Sequence, residues 1–134
     1  DAEHARAVVE AVADLSSRLG RALPVLGLPG VVADVAASAG LPFVHEAFLD
    51  RGYTIAGGLV PRGEPGALID DPAQVAERAL RLVRDGDVET VSGTRIAVDA
   101  ASLCLHGDTP SAVSMARAVR AALDDAGVEV HAPW

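Results

Sequence analysis

The pattern of apolar and polar residues predicts an alternation of helices and strands. In residues 2–19 the apolar side chains recur every three or four positions, which is typical of an amphipathic helix, and Gly20 ends it. Residues 23–28 form a short apolar run of strand length. An alanine-rich helix over residues 32–38 and a second strand over residues 42–48 follow. The first third of the chain therefore predicts two consecutive helix and strand pairs.

The next helix, over residues 73–85, is predicted by its first residues as well as by its periodicity. Asp71 has a side chain suited to the N-cap, and Pro72 suits the first helical position because its missing N–H is not needed there. Glu77 and Arg81 lie one turn apart and are expected to pair on the solvent face. The buried face is expected to consist of Val75, Ala79, Leu82 and Val83.

The last third of the chain predicts a hairpin, a strand and a helix. Residues 88–91 and 95–98 are rich in β-branched side chains and flank a three-residue connection that contains glycine. A buried strand over residues 102–105 and a helix over residues 111–125 follow, and residues 128–130 form a candidate last strand. Alternating strands and helices indicate an α/β fold with a parallel sheet, to which the β-hairpin is an insertion.

Composition limits the class of protein. The 134 residues, half of them apolar, suffice for one core, so residues 1–134 are expected to form a single domain. The net charge is −8 and the eleven cations, all arginine, are scattered along the chain, which argues against a nucleic-acid partner. No apolar run reaches the roughly 20 residues of a membrane span, and no signal-peptide pattern is present, so we expect a soluble, cytoplasmic protein without a membrane partner.

The segment over residues 50–69 is longer than a connection in a small α/β domain requires. Loops of this length frequently carry function. It contains Asp50, Arg51, Tyr53, Arg62 and Glu64, a set that is able to converge on one anionic or polar ligand. The structural alternative is a solvated surface loop without a ligand.

Chemically capable side chains follow two of the predicted strands. Glu46 and Asp50 lie at or just after the end of one strand, and His106 and Asp108 come directly after another. The carboxyl ends of parallel strands form the usual ligand-binding edge of such sheets, and a histidine beside a carboxylate suits acid/base chemistry near neutral pH. The alternatives are that His106 bonds a loop carbonyl and that Asp108 only stabilises the N-terminus of the following helix.

Two other candidates favour a structural interpretation. Cys104 lies between two leucines, which is typical of a buried strand residue and less so of a nucleophile. His45 alternates with Glu46 along its strand, so the two side chains are expected to point to opposite faces. The sequence contains no CxxC or HxxxH pair, and no residue is assigned to a metal.

Four motifs carry a resemblance to a known family. They are Glu-Ala-Phe-Leu-Asp-Arg-Gly-Tyr at residues 46–53, Leu-Val-Pro-Arg at 59–62, Gly-Ala-Leu-Ile at 66–69 and Cys-Leu-His-Gly-Asp at 104–108. In this order and at these separations they resemble the C-terminal half of the LamB/YcsF family, and the match extends over nearly the whole chain. Ala56 and Val31 depart from the family pattern, which commonly has Asp and Ser there.

The resemblance implies a fold and an activity. The expected fold is about half of a seven-stranded TIM-like barrel of the polysaccharide-deacetylase type, because the Asp-Leu-Asn, His-Ala-Gly-Asp and Lys-Pro-His-Gly motifs of the family's N-terminal half do not occur here. The implied activity is that of 5-oxoprolinase, which opens the lactam of 5-oxo-L-proline to L-glutamate with cleavage of ATP as co-substrate. The implied partners are the B and C subunits, the missing N-terminal half and a second copy in a homo-oligomer. This fragment alone is expected to be inactive.

The resemblance also implies a division of roles. ATP-coupled hydrolysis of a lactam is expected to proceed by phosphorylation of the amide oxygen, followed by attack of a base-activated water on the ring carbon. No GxxxxGK[ST] sequence is present, so the sequence does not locate the ATP site. The catalytic roles are assigned to His106, Asp108 and Glu46, and the substrate-binding roles to Asp50, Arg51, Tyr53 and Arg62.

Two other functions are compatible with the sequence. One is a non-catalytic interaction module, in which the arginine-containing loop docks a partner subunit. The other is a metal-dependent amidase or deacetylase, which only the fold analogy suggests. A bound ligand beside His106 and the metal content of the protein, respectively, distinguish these alternatives from the ATP-dependent hydrolase.

Overall fold

The computed structural model describes residues 1–132 and contains four helices and five strands. Each of these elements corresponds to one that the sequence predicts, so the α/β class is confirmed. Their bounds are α1 (Ala2–Leu19), β1 (Val25–Gly27), α2 (Val31–Ser38), β2 (Phe43–Phe48), α3 (Pro72–Asp85), β3 (Asp87–Glu89), β4 (Arg95–Ala97), β5 (Ser102–Cys104) and α4 (Ala112–Asp125).

The central sheet is parallel and has the strand order β1-β2-β5. Val25 pairs with Phe43, and Phe48 pairs with Cys104, so all three strands run in the same direction. Their carboxyl ends lie at one edge, where residues 28–30, 49–69 and 105–111 leave the sheet. The topology therefore brings the two predicted groups of functional residues to the same edge.

The predicted hairpin is confirmed as a separate two-stranded antiparallel sheet. Asp87 of β3 pairs with Ala97 of β4. The hairpin also holds the long loop after β2, since the Val91 N–H donates to the Tyr53 carbonyl at 3.0 Å. The insertion is thus attached to the segment that begins at Asp50.

The helices pack on one face of the sheet. Ala47 and Leu49 of β2 and its extension lie in the main core with the apolar faces of α3 and α4. A second cluster joins α1 and α2 to β1 through Val9, Val25, Ala36 and Leu41. Because strand side chains alternate, Glu46, Phe48, Ser102 and Cys104 share the opposite face and are only half-buried.

The predicted capping of α3 is confirmed. The Asp71 carboxylate accepts a hydrogen bond from the Ala73 N–H at 2.9 Å, and Pro72 occupies the first turn. Glu77 and Arg81 form the expected ion pair at 3.0 Å. These local interactions begin the helix directly after the long loop and thereby fix where the loop ends.

Two predictions about apolar segments are wrong. Val83 is 46 % exposed, because it lies in the last turn of α3 and lines an open groove of about 480 Å³ between α3, α4 and β5. Residues 128–130 form no strand, since no strand of residues 1–132 pairs with them; they line the same groove. Within the described residues, no helix is long and apolar enough to cross a membrane.

Candidate functional site

The central feature of the strand-end edge is a hydrogen-bonded pair of His106 and Asp50. The His106 ring Nδ1 lies 2.8 Å from Asp50 Oδ1 and 3.1 Å from Oδ2. The His106 backbone N–H also donates to Asp50 Oδ2 at 3.1 Å. The Asp50 side chain is 1 % exposed and that of His106 is 26 % exposed, so a buried carboxylate orients a partly accessible imidazole.

The register of two strands explains how residues 56 positions apart meet. Phe48 pairs with Cys104, and the Leu49 N–H donates to the Cys104 carbonyl at 2.9 Å, which extends the pairing one step beyond β2. Asp50 and His106 are the next polar residues after this point on the two neighbouring segments. The pair is therefore a direct product of parallel pairing between β2 and β5.

The surroundings of His106 leave one ring nitrogen available. The Phe48 ring stacks on the imidazole with 5.6 Å between ring centroids and 25° between planes. Because Nδ1 is engaged by a carboxylate, it carries the proton in the neutral ring, and Nε2 is then the acceptor. A histidine in this state is suited to take a proton from water and return it.

Arg62 and Asp108 form a second pair at the same edge. Arg62 Nη1 donates to Asp108 Oδ2 at 3.0 Å, across 46 positions of sequence. Both side chains are exposed, at 46 % and 57 %, so the pair is solvated and contributes at most about 1 kcal/mol to stability. It connects Arg62 of the long loop to the segment after β5 and leaves other guanidinium N–H groups for a ligand.

Arg51 and Tyr53 contact the protein instead of lining an open site. The Arg51 guanidinium is buried and donates to the carbonyls of Ala67 (3.1 Å) and Val60 (2.8 Å), which closes the loop on itself. The Tyr53 hydroxyl accepts from the Phe48 N–H at 2.8 Å, and burial raises the pKa of this phenol. Their predicted substrate-binding roles stay predictions, and the structure gives each a role in loop conformation.

Glu46 lies on the open face of the sheet, two residues before the end of β2. Its carboxylate accepts a hydrogen bond from Ser102 Oγ at 3.3 Å. Burial raises the pKa of the adjacent Cys104 thiol to about 11, and the Glu46 and Asp50 carboxylates add to this effect. Cys104 is therefore a poor nucleophile near neutral pH, whereas the predicted catalytic role of Glu46 stays a prediction.

Arg78 is a residue of this region that the sequence patterns did not single out. Its Nη1 donates to the Arg51 carbonyl, its Nη2 reaches the Glu89 carbonyl at 3.4 Å, and its guanidinium lies 5.8 Å from the centroid of the Tyr53 ring. Helical periodicity only places it on the polar side of α3. A polar residue one turn before Arg81 gives no sequence signal of a contact with a distant loop.

Two buried hydroxyl groups follow His106. Thr109 Oγ1 and Ser111 Oγ have no hydrogen-bond partner within the described residues. They precede α4, and Ser111 is its N-cap residue without a side-chain cap bond. No group of three His, Cys, Asp or Glu side chains in residues 1–132 is arranged to hold a metal ion.

The family match and the individual relatives of this chain agree with one another. The model of the LamB/YcsF family matches residues 1–133. The chain is 56 % identical over 135 aligned positions to the A subunit of 5-oxoprolinase from Streptomyces avermitilis, and 49 % identical over 133 positions to that from Thermus thermophilus. Each match covers 98 % of this chain and 52 % of the relative, so the chain spans about half the length of the curated relatives it matches.

A solved structure shares the fold. It is the crystal structure of a lactam utilization protein from Thermus thermophilus, with a TM-score of 0.88 and 47 % sequence identity. The match covers 98 % of this chain and 51 % of that structure. The family model extends over all but one residue, and the four motifs at the strand-end edge occur in the expected order. The chain therefore belongs to the LamB/YcsF family.

Proposed function

We propose that the chain is the part of a 5-oxoprolinase A subunit that carries its acid/base histidine, in an enzyme that hydrolyses 5-oxo-L-proline to L-glutamate with cleavage of ATP. The observation that carries the proposal is the buried Asp50 carboxylate bonded to Nδ1 and to the backbone N–H of His106. The names of the relatives, a 5-oxoprolinase component and a lactam utilization protein, support the choice of a lactam as substrate.

His106 performs the proton transfer in the proposed reaction. Its free Nε2 accepts a proton from the water that attacks the lactam carbonyl carbon, and the imidazolium that results is stabilised by Asp50. The same nitrogen then returns the proton to the ring nitrogen as the C–N bond breaks. The phosphoryl group from ATP remains on the new carboxyl group as an acyl phosphate, and a second water releases it as inorganic phosphate. Arg62, exposed 46 % and bonded to Asp108 through one N–H only, is placed to bind the substrate carboxylate.

ATP is the proposed co-substrate, and its chemistry is activation of the lactam carbonyl by phosphorylation. Binding of the ATP phosphates by this chain is supported by the hydroxyls of Thr109 and Ser111, which have no partner within the described residues. Both are donors at the N-terminus of α4, where phosphate oxygens bind favourably. Asp108 adjoins this end and places a negative charge there, which Arg62 balances.

The proposed assembly is larger than this chain. Residues 1–134 are proposed to be one domain that forms the C-terminal half of a TIM-like barrel, with the other half completing the sheet. This is supported by the coverage of 52 % of the relatives. It is also supported by β1 and β5, the outer strands of the sheet, since no further strand pairs with either of them within residues 1–132. The word "subunit" in the relatives' names supports the proposed B and C subunits as partners. A homo-oligomer and a cytoplasmic location stay predictions.

The experiment is substitution of His106 in the complete enzyme, with its partner subunits present. We expect His106→Ala to lower 5-oxoproline turnover by about 10²–10⁴-fold, the usual effect of losing an acid/base group, with little change in melting temperature. His45→Ala is the matched control, because His45 pairs in the same sheet but points to the opposite face from Glu46. Near-normal turnover of His106→Ala would contradict the proposal.

One observation favours partner docking as a second function of the long loop. Ile55 at its tip is 69 % exposed, and Leu68 and Val91 beside the hairpin are exposed as well. Exposed apolar side chains at a loop tip suit a protein interface. Ile55→Asp is expected to weaken association with the partner proteins without changing turnover of the assembled enzyme, and unchanged association would exclude this function for the loop tip.

A further inference from the structure

The four consecutive carbonyl groups of residues 50–53 all accept hydrogen bonds. This segment carries Asp50 at its start, so its conformation decides where the carboxylate points. Three of the donors are backbone N–H groups and the fourth is a side chain. Taken in the order of the carbonyls from residue 50 to residue 53, the donors are Ile69 N (3.0 Å), Arg78 Nη1, Val60 N (2.8 Å) and Val91 N (3.0 Å).

Arg78 is the side-chain donor, and it is held from three sides. It is half-buried on α3, donates to the Arg51 carbonyl in the long loop, and reaches the Glu89 carbonyl at the end of β3. Its guanidinium also lies over the face of Tyr53, the last residue of the four. The Arg78 guanidinium therefore links α3, the hairpin and the loop segment that follows Asp50.

The charge of Arg78 has no carboxylate in contact. Among residues 1–132 it forms no ion pair, in contrast to Arg81, which contacts Glu77 at 3.0 Å and Glu89 at 3.4 Å. Burial lowers the pKa of Arg78, and the groups that oppose this change include Tyr53, Glu89 and Asp50. A guanidinium remains protonated in such a place, so Arg78 keeps its positive charge beside the segment that carries Asp50.

We propose that Arg78 is a positioning residue of the site: by fixing the peptide after Asp50, it holds the Asp50 carboxylate against Nδ1 and the backbone N–H of His106. The catalytic meaning of this inference rests on the proposed function, whereas its geometric content does not. The competing explanation is that Arg78 only joins α3 to the loop and the hairpin. In that case its removal lowers stability but leaves the hydrogen bond between Asp50 and His106 intact.

The test is NMR of the complete subunit that contains these 134 residues, with ¹⁵N-labelled histidine. The Nδ1–H proton of His106 is expected at low field because its acceptor is a carboxylate, and its exchange with water reports how well the bond is kept. We expect Arg78→Met to accelerate this exchange at least tenfold or to abolish the signal, since the Arg51 carbonyl loses its donor. Arg78→Lys is expected to restore part of the protection, because one ammonium reaches one carbonyl.

Arg81→Met is the matched control. Arg81 lies on the same helix and carries the same charge, but its hydrogen bonds to residues 1–132 go only to the Glu77 and Glu89 side chains. Exchange of the His106 proton that is equally fast in Arg78→Met and Arg81→Met, with both chains folded, would overturn the proposal. If Arg78→Met does not fold, Arg78→Lys is compared with Arg81→Lys, and equal exchange rates in that pair overturn it.

The outcome is separable from that of the proposed function. The NMR experiment requires no substrate, ATP or partner. A protected His106 proton that depends on Arg78, together with full turnover of His106→Ala, would refute the hydrolase mechanism and leave the positioning role standing. An unprotected or Arg78-independent proton, together with inactive His106→Ala, would do the reverse.

Discussion

Replacing Asp50 by asparagine tests the site with almost no change of shape. The carboxylate accepts from Nδ1 and from the backbone N–H of His106, at 2.8 and 3.1 Å. In asparagine, one oxygen accepts from the backbone N–H, and the amide N–H₂ then faces Nδ1. Two donors cannot bond each other, so the imidazole must shift its proton to Nε2, after which Nδ1 accepts from the new amide. We therefore expect Asp50→Asn to change the tautomer of His106.

The expected loss of stability follows from burial. The Asp50 side chain is 1 % exposed, so water does not replace the lost charge-assisted hydrogen bonds, which are worth about 1–3 kcal/mol in such a place. For a chain of this length that corresponds to a fall in melting temperature of about 4–10 °C. On the proposed function, turnover of the assembled enzyme is expected to fall by about 10²–10⁴-fold, because Nε2 then carries a proton and is no longer a base.

Asp108→Asn is the control, because it makes the same chemical change at the same edge of the sheet. Asp108 is 57 % exposed, and its one ion pair with a described residue is to Arg62, so its loss is expected to cost at most about 1 kcal/mol and to leave the His106 tautomer unchanged. The measurements are thermal unfolding by circular dichroism and two-bond ¹H–¹⁵N correlations of the histidine rings. Equal melting temperatures of the two variants, with His106 protonated at Nδ1 in both, would refute the reasoning.

The remaining predictions concern packing, thiol reactivity and association. Gly52→Ala is expected to lower the free energy of unfolding by about 1–3 kcal/mol, because its Cβ would lie 2.0 Å from the Gly66 carbonyl oxygen. At Gly107 no described atom lies near the added Cβ, so Gly107→Ala is expected to change the free energy of unfolding little. Equal denaturant midpoints for the two variants would contradict this. Burial and then Glu46 raise the pKa of Cys104 to about 11, so its alkylation by iodoacetamide should be slow at pH 8 and accelerate as the pH approaches that value. Alkylation should be faster in Glu46→Gln than in the unchanged protein. A rate at pH 8 equal to that of a free thiol would exclude the raised pKa. Because β1 and β5 are outer strands with one unpaired side each in the described part of the chain, the isolated chain is expected to self-associate. A compact monomer of 13.7 kDa in light scattering would show that these strands are protected.

The fold followed from local patterns where the residues decide the outcome by themselves. Asp71 and Pro72 predict the start of α3 because capping depends on neighbours in sequence. Val83 and residues 128–130 were predicted wrongly because burial and strand pairing depend on what lies beside them, and apolar periodicity does not contain that information.

The sequence predicts the location of the site better than it predicts which side chains bond each other. Parallel strands bring Asp50 and His106 to one edge, so their proximity follows from the topology. The partner of His106 does not, since Asp108 is two residues away in sequence yet bonds Arg62, whereas Asp50 is 56 residues away. Arg51 has the charge expected of a ligand-binding residue, but its guanidinium bonds two backbone carbonyls, and residue type alone does not distinguish these uses.

The separation of Asp50 and His106 by 56 positions also bears on how the chain folds. A contact between residues this far apart closes a long loop, and the chain loses conformational entropy before the contact contributes any stability. Pairing of β2 with β5 is therefore expected after α3 and the hairpin, whose contacts are local, have formed. The imidazole would then acquire its orienting carboxylate only in the last step, so that incompletely folded chains, including those still emerging from the ribosome, carry an unoriented His106.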